Sequence, residues 1–180
     1  MKKDLSKQIE IPHGVEAKIE GNVLKIKGKE GEVDRKFNLT KLEFKIHEGK
    51  IIIGRKKSTK NEKKMINTIA AHIKNMIKGV QEKFEYNLKI CFSHFPFTVE
   101  IKGKEVFIKN FLGEKVPRKM ILPEGVDVRL DKQNIIVKSH DKELAGQAAA
   151  NFEIVTKIKN RDRRVFQDGI YITSKDGRDI

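Results

Sequence analysis

Cysteine occurs once in this chain of 180 residues, at Cys91. No intramolecular disulfide is possible, which fits a reducing compartment, and the strand-like apolar run around the thiol predicts a buried, inert side chain. No apolar stretch approaches the ~20 residues that span a bilayer, and Met1–Ser6 leads into no apolar signal core, so the expected location is cytoplasmic. Metal-ligand spacing is missing too. His13, His47, His72, His94 and His140 stand singly, which argues against a zinc site. Gly28-Lys29-Glu30-Gly31 is glycine-rich but lacks the six-residue phosphate loop ending in Lys-Ser/Thr, so it predicts a plain turn. The carboxylates mostly alternate with lysine on outward strand positions, as in Glu16-Ala17-Lys18. Adjacency of Ser93 and His94 provides no nucleophile–base geometry. No catalytic constellation can be nominated, and the expectation is a protein without enzymatic activity, metal, cofactor, small-molecule substrate or membrane partner.

Positive charge is what the chain has in excess. Thirty-nine Lys and Arg face 25 Asp and Glu, a formal net charge of +14. Such a balance favours polyanionic partners, with nucleic acid the first expectation for a soluble basic protein, and it says nothing about fold.

The chain also repeats itself. Val15-Glu16-Ala17-Lys18-Ile19-Glu20-Gly21, then Leu24-Lys25-Ile26, Gly31-Glu32 and Arg35-Lys36-Phe37, matches a second series about 82 residues on. That series is Phe97-Thr98-Val99-Glu100-Ile101-Lys102-Gly103, then Val106-Phe107-Ile108, Gly113-Glu114 and Arg118-Lys119-Met120. In each half short alternating segments predict strands and one 3.6-periodic segment predicts a helix. The first half gives strands at 15–20, 23–27, 32–38, 43–47 and 51–53, with Gly21-Asn22 and Glu48-Gly49 as turns. A helix over 60–78 follows, with capping-box spacing from Thr59 to Glu62 and an exit at Gly79. The second half gives strands at 86–92, 97–101, 106–109, 116–122, 126–130 and 135–138, then a helix over 142–157 capped by Asp141. Gly146 inside that helix costs about 1 kcal/mol relative to alanine, which predicts close helix–sheet packing there. The expected fold is α+β: two duplicated small domains, 1–81 and 82–180, each an antiparallel-rich sheet packed against one helix. No Pro/Gly/Ser-rich linker separates them.

Two basic clusters are candidate contacts. Arg55–Lys64 holds six cations and one anion, and Lys157–Arg164 holds five and one. Arginine forks suit phosphate oxygens and stack on bases. Phe166 and Tyr171 lie just beyond the second cluster, and aromatics beside arginines form the usual set for unpaired nucleotides. Charge alone points the other way, since residues 1–90 hold 22 cations and 12 anions while residues 91–180 hold 17 and 13.

Several longer motifs are specific. Phe92-Ser93-His94-Phe95-Pro96-Phe97, Asn110–Lys115, Asp141–Ala149 and Arg161–Tyr171, with Ile73–Val80, resemble protein six of the large ribosomal subunit in its archaeal and eukaryotic form. The resemblance runs from about residue 8 to 175. It implies a duplicated α+β protein that binds large-subunit rRNA, mainly through its second domain, near the sarcin–ricin loop and the stalk base, among neighbouring subunit proteins. Carried over on matching motif positions, the RNA-facing residues are Ser93, His94, Arg161, Arg164, Phe166 and Gly169. Lys157 and Lys159 are added on charge. Arg163 stands where the family usually has proline and adds a further cation. Lys29 likewise replaces a usual proline, and Ser139 and Lys83 replace usual glycines.

Overall fold

Where apolar and charged residues alternate, the backbone is strand. In the computed structural model, which describes residues 3–39, 42–47, 49–93 and 95–180, the chain divides into a unit of Met1–Lys83 and a unit of Phe84–Ile180. The first unit runs β1 (Lys3–Glu10), β2 (Glu16–Glu20), β3 (Val23–Gly28), β4 (Gly31–Lys36), β5 (Glu43–His47), β6 (Lys50–Ser58) and α1 (Lys60–Gln81). Its strands form two antiparallel sheets, ordered β2-β3-β4 and β1-β6-β5. In β3, Leu24 and Ile26 are buried while Lys27 faces solvent. In β6, Ile51 and Ile53 are buried likewise. Both sheets pack on α1, whose stripe of Ile66, Ile69, Ala70, Ile73, Met76, Ile77 and Val80 completes the core. Each large side chain buried this way contributes about 1.5–3 kcal/mol.

Two details differ from expectation. β1 has no predicted counterpart, because only Leu5 and Ile9 are apolar in Lys3–Glu10; it forms through its ladder to β6. Gly79 does not end α1, which continues to Gln81 and stops where Glu82 turns extended. The expected turn at Glu48-Gly49 falls partly on Glu48, outside the described residues. Gly28-Lys29-Glu30-Gly31 is the plain turn expected, and it does more than reverse the chain. A β-carbon on Gly28 would lie 2.7 Å from the Val80 carbonyl oxygen, the same oxygen that accepts from the Glu30 N–H at 2.9 Å. The β3–β4 turn therefore sits directly on the last turn of α1.

The second unit repeats the plan. It runs β7 (Phe84–Cys91), β8 (Thr98–Lys102), β9 (Glu105–Lys109), a 3-10 turn at Phe111–Gly113, β10 (Arg118–Ile121), β11 (Asp127–Asp131), β12 (Asn134–Ser139) and α2 (Lys142–Val155). Asp141 caps α2 by accepting from the Glu143 N–H at 2.8 Å. Buried Ser139, standing where glycine was the usual residue, donates to the Gly125 carbonyl at 2.7 Å and accepts from the Asp141 N–H at 3.2 Å. α2 is alanine-rich on its inner face, so Ala145, Ala148, Ala149 and Phe152 pack closely over Phe84, Leu88, Ile135 and Val137. Gly146 is not what makes this possible, since a β-carbon there would sit 3.5 Å from the Tyr86 hydroxyl, an ordinary contact.

After α2 the copies part. The second unit adds β13 (Gly169–Lys175) and β14 (Arg178–Asp179), and its larger sheet is ordered β11-β12-β7-β13-β14 beside the smaller β10-β9-β8. β13 pairs antiparallel with β7, from Gly169 opposite Cys91 to Lys175 opposite Tyr86. Among the described residues β1, the counterpart of β7, pairs only with β6. The architecture is α+β and duplicated, with the refinement that each helix covers two sheets rather than one.

Candidate nucleic-acid interface

The segment between α2 and β13, residues 156–168, carries most of the expected site, and its ends are fixed before its side chains matter. At the α2 end, Thr156 is buried; its hydroxyl donates to the Phe152 carbonyl and accepts from the Ile170 N–H, both at 3.0 Å. One hydroxyl thus staples the helix exit to the incoming strand. Glu153 Oε1 accepts from the Ile172 N–H at 3.0 Å, and Ile158 is buried in the core. At the β13 end, buried Asp168 accepts through Oδ1 from both the backbone N–H and the hydroxyl of Ser93, each at 2.9 Å. In between, Asp162 organises a tight turn. Its carbonyl accepts from the Phe166 N–H at 2.9 Å and its Oδ1 from the Arg164 N–H at 2.9 Å.

From this frame Lys157, Lys159, Arg161, Arg163 and Arg164 project into solvent. The Arg161 guanidinium lies 4.8 Å from the centroid of the Phe166 ring, within reach of a cation–π contact. Arg164 is turned onto Asp162 at 2.8 Å. That guanidinium, with the Arg164 N–H, holds the Asp162 carboxyl below the usual aspartate range. Arg164 is therefore partly neutralised within its own turn, whereas Lys157, Lys159, Arg161 and Arg163 supply the open charge.

The remaining expected residues have other placements. Ser93 is spent on Asp168 and ties the loop after β7 to β13. Gly169 is buried in β13, where a β-carbon would lie 3.1 Å from the Tyr171 ring; its smallness lets that ring fold back, with the Tyr171 hydroxyl donating to the Gln167 carbonyl at 3.1 Å. Tyr171 is pushed above the usual tyrosine range, chiefly by burial. His94 lies outside the described residues. Cys91 closes β7 and is half-buried.

The sequence reading missed Arg118, which reaches the segment from β10. Its guanidinium forks onto Glu114, Nε to Oε2 at 2.8 Å and Nη2 to Oε1 at 2.5 Å. Nη1 donates to the carbonyls of Val155 at 2.8 Å and Lys157 at 3.1 Å. The same group stands 4.4 Å over Phe111. Arg118 first, then the charges of Arg161 and Lys159, hold the Glu114 carboxyl below the usual glutamate range. The only sequence signal was its place in the repeat, because its partners at 155 and 157 are nearly 40 residues away.

The first basic cluster is arranged differently. Arg55 pairs with Glu62, whose other oxygen accepts from the Thr59 N–H at 2.7 Å at the start of α1, the half of the capping box that the spacing predicts. Lys56, Lys60, Lys63 and Lys64 are exposed around this helix start, and none of them has an aromatic partner among the described residues. Among the described residues no group of three or more His, Cys, Asp or Glu is placed to hold a metal ion, and no helix is long and apolar enough to cross a membrane.

Comparison with known proteins agrees with the duplicated plan. The family model described as ribosomal protein L6 matches residues 11–83 and 95–169, one stretch in each unit. "Large ribosomal subunit protein uL6" of Methanococcus vannielii is 42% identical over 174 residues, covering 97% of this chain and 96% of that protein. The protein of the same name from Methanosarcina mazei is 42% identical over 175 residues, covering 97% and 99%. That of Nanoarchaeum equitans is 42% identical over 181 residues, covering 96% and 94%.

Proposed function

Because the chain belongs to the ribosomal protein L6 family, in its archaeal type, we propose that it serves as a structural component of the large ribosomal subunit, bound to rRNA in the cytoplasmic ribosome. The family is structural and the protein is not an enzyme. The finer reading places it against large-subunit rRNA near the sarcin–ricin loop and stalk base, beside neighbouring subunit proteins, where it braces the region that translation factors approach. Support for that location comes from the motif resemblance. Support for the contact surface comes from the segment anchored between α2 and β13. On this reading Lys157, Lys159, Arg161 and Arg163 neutralise phosphates, with Arg164 a weaker contributor because Asp162 shares it. Phe166, backed by Arg161, offers a ring to an unpaired base, while Ser93 and Gly169 hold the loop and strand that present the surface; His94 is assigned to the contact on the motif resemblance alone.

The observation that carries the reading is this pre-formed segment with four exposed cations and the Arg161 guanidinium over the Phe166 ring. Four to five phosphate contacts give a salt slope of roughly −3 to −4.5 in log K against log salt. The rival is a free regulatory RNA- or DNA-binding module. Sucrose-gradient sedimentation of cell extract separates the two. The protein is expected in the large-subunit fraction, and its absence there would sink the ribosomal assignment.

A further inference from the structure

Behind the charged surface of the basic segment lies a cavity of about 340 Å³, bordered by Glu153, Lys157, Arg163, Phe166 and Tyr171 among others. Cavities from about 300 Å³ upward take small organic ligands. Two aromatic rings suit a flat heterocycle, and Lys157 and Arg163 suit phosphates on either side of it. Glu153 does not fit a surface made only for phosphate, because like charges repel. Its carboxylate is nonetheless fixed, by accepting from the Ile172 N–H at 3.0 Å. A carboxylate has about four lone-pair sites and no donor, so this anchored group keeps capacity for a ligand that brings N–H donors. The Tyr171 ring is held as well, by its bond to the Gln167 carbonyl, in the space that the lack of a β-carbon at Gly169 leaves.

Among the four RNA bases only guanine sets two donors side by side, N1–H and N2–H, on its Watson–Crick edge. Adenine and cytosine place an acceptor next to their amine, and uracil places its single N–H between two carbonyls. Extruded bases are read in this manner, by that edge and by stacking between aromatic walls. We propose that the cavity takes an extruded guanine of the bound RNA, with Glu153 accepting from N1–H and N2–H, Phe166 and Tyr171 flanking the ring, and Lys157 and Arg163 meeting the adjacent phosphates. The inference rests on the RNA-binding reading above and adds a base preference to it.

The test titrates the full chain, at several salt concentrations, against short RNA hairpins that differ only in one bulged nucleotide: G, A, C, U or inosine. The bulged-G hairpin is expected to bind about tenfold more tightly than the other natural three, and inosine, which lacks the N2 amine, to lose most of that advantage. Glu153→Gln keeps an acceptor for the Ile172 N–H but turns donors toward guanine, so it is expected to bind the four natural hairpins alike, with an unchanged thermal transition. The base and inosine series use the unaltered protein and do not depend on how the variant folds. Equal affinity for the four bulges with a steep salt slope overturns the guanine site and leaves the RNA-binding reading intact, whereas no binding to any hairpin overturns both. Preference for G that survives in a folded Glu153→Gln also overturns it. So does displacement of the G hairpin by an equal concentration of free GMP, which would make the cavity a mononucleotide site.

Discussion

Replacing Arg118 by methionine should loosen the basic segment without touching any cation on it. The substitution keeps an apolar stem over Phe111 and removes the fork to Glu114 and both bonds to the Val155 and Lys157 carbonyls. Glu114 is 40% exposed, so the ion pair contributes only about 0.5–1 kcal/mol. The bond to the half-buried Val155 carbonyl comes from a charged donor and contributes about 1.5 kcal/mol, the more exposed one to Lys157 less. Loss of the cation over Phe111 adds about 0.5–1 kcal/mol. Together the second unit should lose about 3 kcal/mol, read by denaturant unfolding followed by circular dichroism. The acid limb gives a sharper test. Arg118 depresses the folded-state value of Glu114 below 4.5, so this contribution is present above the unfolded value and is lost as pH falls through the folded one. The gap between wild type and Arg118→Met should therefore be full at neutral pH and narrow below about pH 4.5. RNA affinity should also fall, because the α2 end of the segment loses its brace. A loss under about 0.5 kcal/mol, with RNA binding unchanged, would refute the assignment of Arg118 as that brace.

Other substitutions follow from particular contacts. Gly28→Ala would drive a β-carbon into the Val80 carbonyl and should cost about 1–3 kcal/mol, whereas Gly146→Ala meets only ordinary contact and should gain up to about 1 kcal/mol from helix propensity; paired thermal melts check the opposite signs. Ser139→Ala leaves the Gly125 carbonyl and Asp141 N–H without their shared partner and should cost about 1–2 kcal/mol by denaturant titration. Arg161→Ala with Arg164→Ala should weaken binding to a sarcin–ricin-domain RNA more than Lys56→Ala with Lys57→Ala, and should lower the salt slope by about 1–2. Equal or reversed losses would mean that charge density, not the second unit's surface, decides where RNA binds.

Periodicity made most of the fold legible, because an element whose apolar residues recur at 2.0 or 3.6 spacing announces the face it buries. β3, α1, β7 and α2 are of this kind, and Asp141 stands at its cap as read. β1 was illegible for the converse reason. With apolar residues only at Leu5 and Ile9, it is strand because β6 offers it hydrogen bonds, and pairing between distant segments leaves no local signature. Gly28 and Gly146 show the same limit at single residues. One glycine lies against a helix and the other within one, but only the fold reveals that the first touches backbone and the second does not. The basic segment was legible as a charge run with aromatics. Its rigidity was not, since Thr156 meets Ile170, Ser93 meets Asp168 and Arg118 meets Val155 across 14, 75 and 37 residues.

Those long-range ties explain how two copies of one unit come to differ. Only the second carries the chain past its helix, through the anchored segment and back as β13 on β7, and the central claim is that this addition makes it the RNA anchor despite its smaller net charge. Protein–RNA crosslinking in the assembled large subunit, read at residue resolution, tests that most directly. Crosslinks to rRNA are expected within Lys157–Phe166. Crosslinks confined to Arg55–Lys64, with none in the second unit, would contradict it.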